Sequence, residues 1–269
     1  MSEPLGIIAG NGEFPLLLAR TARAQGLHTV AAAFEGETNP DIAQAADEVE
    51  WIRLGQLNRL IEVFTKRRVT RAVMAGGITP ANLYKNLSLD FRMIAVAARL
   101  KVRNAQTIFG AIADECAKDG VTLLDPRPFF GDAVPQPGNL TRRAPDREQQ
   151  DDIAFGLKIA KAVAGLDIGQ TVVVKQGTVL AVEGFEGSDE CIQRGGCLAG
   201  EKGGAVVVKV AKPNHDFRFD IPCVGVRTIA SCAAGKIAVL AVEASATLLL
   251  DRDNVLAAAE HNKLVLVAQ

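Results

Sequence analysis

Between Gly203 and Asp251 the chain places charged side chains at the ends of short apolar strands, and this pattern constrains the fold most. Ala205 to Val210 is a run of mostly β-branched residues carrying Lys209. A polar loop, Lys212-Pro-Asn-His-Asp216, follows, then a second short strand that delivers Arg218 and Asp220 into Ile221-Pro222. Gly225-Val-Arg-Thr228 opens a helix of small residues. Charge set against a buried sheet is costly unless it is paired or used on a ligand. A chain built this way is expected to be an α/β protein with chemistry at its strand ends.

The rest of the sequence repeats the theme. Leu5 to Ala9 reads as an apolar strand, Gly10-Asn11-Gly12 as a turn, and Phe14-Pro15 as the start of a helix ending near Gly26. Strand, glycine turn and helix make a Rossmann-like opening, although Pro15 stands where a third glycine would complete GxGxxG. Gly10 to Gly12 is therefore either a ligand loop or a plain tight turn. Arg71 to Ala75 is a further strand running into Gly76-Gly77, and two such loops at one sheet edge suit a ligand. Five of the 11 prolines fall between Pro126 and Pro145, which reads as a linker. Ile153, Leu157, Ala160 and Ala164 then mark one face of a helix that could bridge two domains. The expected division is 1–130 as a Rossmann-like domain, 131–165 as linker and bridging helix, and 166–269 as an α/β catalytic domain.

Composition excludes several classes. With 269 residues, 48% of them apolar, the chain can bury a sizeable core. Thirty Lys+Arg against 31 Asp+Glu give no basic excess, so nucleic acid is not an expected partner. No signal peptide or membrane span is expected, since no apolar run reaches about 20 residues. The five cysteines have no CxxC spacing and read as reduced thiols. A nucleophilic Cys223 is the weaker reading beside a core one.

In the second half Glu183, Glu186, Asp189, Asp216 and Asp220 are hard oxygen donors of the kind Mg²⁺ prefers, and that ion often needs only one or two of them. Lys175, Lys209, Lys212 and Arg218 could neutralise phosphate oxygens. Together they suit attack of water at phosphorus, with an ordinary salt-bridged surface as the competing reading. His215 could be a general base or a solvated loop residue, and Thr228 a helix cap or a phosphate contact.

Leu5-Gly-Ile-Ile-Ala-Gly-Asn-Gly12, Ala75-Gly76 and Leu166-Asp-Ile-Gly-Gln170 come in an order that extends through Leu180 to Asp189, Lys209-Val-Ala-Lys212-Pro, Arg218-Phe-Asp220-Ile-Pro-Cys-Val-Gly225 and Ala238 to Asp251. That order and spacing resemble the LpxI-type UDP-2,3-diacylglucosamine pyrophosphatases of lipid A synthesis. The resemblance implies a Rossmann-like N-terminal domain, a C-terminal α/β domain peculiar to the family, and substrate between them. It implies Mg²⁺-dependent hydrolysis of a lipid-linked UDP-sugar to UMP and 2,3-diacylglucosamine 1-phosphate. It further implies a homodimer and transient contact with the cytoplasmic face of the inner membrane. By the same matching Asp220 is the essential residue, while Gly12, Ala75, Gly76, Gln170, Asp189 and Thr228 become substrate contacts, with Gly10 and Arg218 beside them. Asp220, Asp189 and Glu183 are the expected metal ligands, and Lys209 and Lys212 the catalytic cations. Two other readings are a non-catalytic nucleotide or lipid sensor and a nicotinamide or flavin oxidoreductase, the latter needing Glu35 or Glu37 as ribose ligand.

Overall fold

The computed structural model describes residues 3–79, 88–100 and 105–269. The chain forms two compact units, one of Met1–Phe130 with Asp216–Asp220, the other of Gly131–His215 with Ile221–Gln269.

In the first unit five strands, β1 (Leu5–Ala9), β2 (Thr29–Phe34), β3 (Glu48–Ile52), β4 (Arg71–Ala75) and β5 (Thr122–Leu123), pair in the order β3-β2-β1-β4-β5, all parallel. Every residue of β1 and β2 is buried, as parallel strands covered on both faces require. Helix α1 (Phe14–Ala24) has Pro15 in its first turn, where a missing N–H costs nothing. Helix α2 (Ile42–Ala45) is a single turn, and α3 (Leu57–Thr65) lays Leu57, Leu60, Ile61 and Phe64 into the core. Helix α4 (Phe91–Arg99) is capped by Asp90, whose carboxylate accepts the Met93 amide at 2.8 Å. Helix α5 (Ala105–Lys118) adds Ala113 and Cys116 to the same core. The edge strand β3 is protected by charge: Arg67 donates to Glu48 at 2.7 Å and to Glu50 at 2.9 Å.

The second unit has a mixed six-stranded sheet. Its strands are β6 (Gly138–Asn139), β7 (Thr171–Lys175), β8 (Thr178–Val182), β9 (Val206–Lys209), β11 (Val239–Val242) and β13 (Val265–Ala268), in the order β6-β13-β11-β9-β7-β8. β9, β11 and β13 are parallel, while β6 and the β7–β8 hairpin run antiparallel at the two ends. A separate parallel pair joins β10 (Cys223–Val224) to β12 (Leu248–Leu249). The proline-rich stretch supplies β6, a detail its composition hides. Helix α6 (Arg147–Gly165) starts with a complete capping box between Asp146 and Gln149. It packs Ile153, Ala160 and Ala164 onto Val172, Val174, Val206 and Val208. Helices α7 (Ser188–Leu198), α8 (Val226–Ala234) and α9 (Arg252–His261) cover the opposite face through Ile192, Ile229, Cys232, Val255 and Ala259. The two helices α7 and α8 touch backbone to backbone, since a Cβ on Gly196 would lie 2.3 Å from the Gly235 carbonyl oxygen.

Asp216 to Asp220 differs from its expected form. Phe217-Arg218-Phe219-Asp220 alternates apolar and polar residues like a strand, but 217–219 form a turn instead.

Candidate functional site

In the first unit the strand order reverses direction between β1 and β4, so the loops leaving these two strands part from each other in topology. Open α/β sheets bind ligands at the carboxyl ends of the strands on either side of such a switch. Gly10-Asn11-Gly12 and Gly76-Gly77 stand at those ends. The Gly10 amide donates to Ala75 O and the Asn11 amide to Gly77 O, both at 2.8 Å. The approach leaves no room for side chains: a Cβ on Gly10 would lie 2.3 Å from Gly77 O, and one on Gly76 2.3 Å from Asn11 O. Gly12, at φ 83°, has nothing within 4 Å of its missing Cβ and is exposed with Gly76 and Gly77. The structure thus brings Gly10 and Gly12 beside Ala75 and Gly76, with Gly10 and Ala75 buried and Gly12 and Gly76 exposed above them.

The loop after β2 locks this surface. Glu37, 9% exposed, accepts from Asn11 Nδ2 at 3.3 Å, from the Thr79 amide at 3.2 Å and from Thr79 Oγ1 at 3.1 Å. Thr38 donates to Ala9 O and accepts the Phe34 amide. Glu35 is turned to Arg53, at 3.2 Å. Glu37 thus shapes the loops together with Asn11, a role different from the ribose ligand the sequence suggests for it, and Glu35 is paired with Arg53. The signal of that role in the sequence is only Asn11 between two glycines.

In the second unit charge collects where β8 and β9 end and β7 begins. Lys209, the last residue of β9, donates to Ser188 Oγ at 2.6 Å. Ser188 donates to Glu183 Oε1 at 3.0 Å and meets Thr171 Oγ1 at 2.9 Å. The second Glu183 oxygen accepts the Gln170 amide at 3.1 Å. Gln170, Glu183 and Lys209 therefore share one hydrogen-bonded cluster, and Ser188 is its hub. Gly187 takes the cap position of α7, and the Ser188 hydroxyl is spent on the cluster. Asp189, in the first turn of α7 where the helix dipole favours an anion, accepts from Arg227 Nε at 2.7 Å. Thr228 lies in the first turn of α8, whose cap is Gly225.

Other expected cations have local partners. Lys212 pairs with Asp167 at 3.0 Å. Lys175 donates to the carbonyls of Ala199 and Gly203 at 2.8 and 2.7 Å, which staples α7 to the turn beyond it. Glu186 pairs with Arg194, whose hydrogen bond holds its carboxyl below the usual range. His215 is half-buried at the end of the polar loop. Arg218 and Asp220 are exposed residues of the turn that belongs to the first unit. A hydrogen bond to Asp216 raises the Arg218 guanidinium above its ordinary pKa, against the effect of burial.

The cysteines are all free. Burial pushes the thiols of Cys116, Cys191 and Cys232 up to about 12, which leaves them unreactive near neutrality. Cys223 is half-buried, with Sγ 3.2 Å from Ile221 O. Among the described residues no three of His, Cys, Asp or Glu are grouped so as to hold a metal ion by themselves. The donors present fit a different mode. Glu183 and Asp189 are hard oxygen ligands already tied to a hydroxyl and an arginine, so Mg²⁺ would need a further carboxylate, water or phosphate oxygens.

A two-unit α/β protein with glycine loops at one parallel sheet edge and a Lys–Ser–Glu cluster at another is the class that fold and geometry define. The chain belongs to the LpxI family: the LpxI N-terminal domain matches residues 4–133 and the LpxI C-terminal domain residues 136–267. It is similar to the UDP-2,3-diacylglucosamine pyrophosphatase LpxI of Caulobacter vibrioides (strain ATCC 19089 / CIP 103742 / CB 15). The two are 29% identical over 267 residues, which is 95% of this chain and 94% of that protein. Among solved structures, a single-chain, multi-domain long-chain acyl-CoA carboxylase aligns at 18% identity with a TM-score of 0.31, over 64% of this chain and 14% of the other. Phosphoribosylglycinamide synthetase from Anaerococcus prevotii aligns at 14% identity with a TM-score of 0.28, over 69% and 40%. This chain spans less than half the length of either, and these likenesses carry no argument about its function.

Proposed function

We propose that this protein hydrolyses the diphosphate of UDP-2,3-diacylglucosamine, releasing UMP and 2,3-diacylglucosamine 1-phosphate in lipid A synthesis. The observation that carries the reading is the match of both LpxI domains along the chain, with a relative of that activity aligned over 95% of it.

The chain's own residues take the following parts. The exposed backbone of Gly12 and Gly76 receives the substrate, and Gly10 and Ala75 beneath it fix the two turns through the Gly10 amide, which donates to Ala75 O. Gln170, Asp189, Arg218 and Thr228 are the remaining substrate contacts. Lys209 and Lys212 offset the negative charge that builds on the phosphate oxygens, an electrostatic contribution that grows as water is excluded. Ser188 holds the Lys209 ammonium in place. Asp220 orients the attacking water or carries Mg²⁺; Glu183 and Asp189 are the oxygen donors that the second unit offers to the ion. When bound, Mg²⁺ supplies positive charge to the diphosphate. Lipid substrate brings the protein to the cytoplasmic face of the inner membrane as a peripheral visitor; no helix among the described residues is long and apolar enough to cross a bilayer. A homodimer is the expected assembly.

The test is UMP release by Asp220→Ala and Asp220→Asn with purified lipid substrate and Mg²⁺. Both are expected to lose nearly all turnover while folding normally. UMP release near the wild-type rate would remove Asp220 from the mechanism.

A further inference from the structure

The segment Asp216–Asp220 lies far along the sequence, within the part that matches the C-terminal family domain, yet it forms part of the first unit. Its alternation explains how. Phe219 packs against the core of the first unit, its ring centroid 6.3 Å from that of Phe109. Phe217 lies beneath the Arg127 guanidinium, with Cζ 3.5 Å from the ring centroid. Arg127 is itself gripped by Asp125 through bonds of 2.9 and 2.6 Å. Arg218 forks onto Asp216 at 2.9 and 2.6 Å and crosses the Phe219 ring at 4.9 Å. The turn closes with the Phe219 amide donating to Asp216 O at 3.2 Å. Residues 217 and 219 are thus half-buried, while 218 and 220 are exposed.

We infer that Phe217 and Phe219, with Arg127, are positioning residues for Asp220. The segment is a turn rather than a strand, and the two rings tie it to the first unit on either side of Arg218. Fixing the backbone of each residue costs about 1–2 kcal/mol of entropy, which a free five-residue segment would regain by moving. A reacting group displaced by about 1 Å can lose about 100-fold in rate. The inference rests on the reading that Asp220 acts on the substrate, and its test separates the two ideas.

UMP release from UDP-2,3-diacylglucosamine is measured for Phe219→Ala, Arg127→Gln and Phe217→Tyr beside Asp220→Asn, with amide hydrogen exchange on each chain. Phe219→Ala is expected to lose about 100-fold in kcat with KM little changed. Arg127→Gln falls in the same direction, and Phe217→Tyr, which keeps a ring under the guanidinium, stays near wild type. Exchange speeds up at 216–220 in the first two variants, while β1 and β4 keep their protection. Should Phe219→Ala fail to fold, Arg127→Gln alone must show the kcat loss and the faster exchange. Full activity in Phe219→Ala or, in that case, Arg127→Gln, with Asp220→Asn inactive, overturns the inference. Unchanged exchange at 216–220 overturns it as well. A fully active Asp220→Asn instead sinks the catalytic reading, and the exchange data still report whether the rings hold the segment.

Discussion

Gly10 is constrained by contact, Gly12 by conformation and Gly76 by both, and the difference has consequences. An added Cβ at Gly10 meets a backbone oxygen at 2.3 Å, so β1 and β4 would have to move apart. At Gly12 the space is open and only the positive φ of 83° resists a side chain. Gly10→Ala is therefore expected to cost on the order of 1–3 kcal/mol of stability, as overpacking does. Gly12→Ala should cost about 1 kcal/mol through backbone strain. If the open face of Gly12 receives substrate, Gly12→Ala raises KM more than its small loss of stability accounts for. Urea unfolding and steady-state kinetics on the two variants check this, and a Gly12→Ala enzyme with wild-type KM would count against the loop as a substrate surface. The glycines themselves were legible in the sequence. Their mutual contact was not, because nothing local says that two turns 66 residues apart share hydrogen bonds.

At the scale of elements, local pattern served well wherever burial set the period. Leu5–Ala9 and Arg71–Ala75 are strands over the expected residues, because a parallel strand buried on both faces must be a short continuous apolar run. Phe217 to Asp220 misled because alternation is also what a turn needs when alternate residues anchor it. A serine at the start of a helix has two uses, as cap or as side-chain contact, and the Lys209 contact decides which one Ser188 serves. The packing of α7 on α8 was invisible, since two small residues in separate helices carry no mark of touching. It leads to a prediction: Gly196→Ala forces the backbones of α7 and α8 apart and should destabilise the second unit by about 1–3 kcal/mol. Thermal or urea unfolding measures it; an unchanged midpoint would mean the helices are free to shift.

For the molecule as a whole, each unit has its own core and its own chemically equipped sheet edge, and Asp216–Asp220 gives the first unit a piece of the second half's sequence. The motifs and the proline-rich stretch lead to an expectation of two α/β parts, and the family match has an N-terminal and a C-terminal domain. The exchange of five residues was not legible, because contiguity in sequence is the assumption on which any linear division rests. The glycine loops and Asp220 lie in the first unit, and the Lys209 cluster lies in the second. The most direct test of the account is incubation of the wild-type protein with UDP-2,3-diacylglucosamine and Mg²⁺, followed by mass spectrometry of the products. We predict UMP and 2,3-diacylglucosamine 1-phosphate in equal amounts, formed over many turnovers. Intact substrate recovered bound to the protein, with no UMP at any divalent cation tried, would contradict the account and mark the chain as a binder of the lipid rather than its hydrolase.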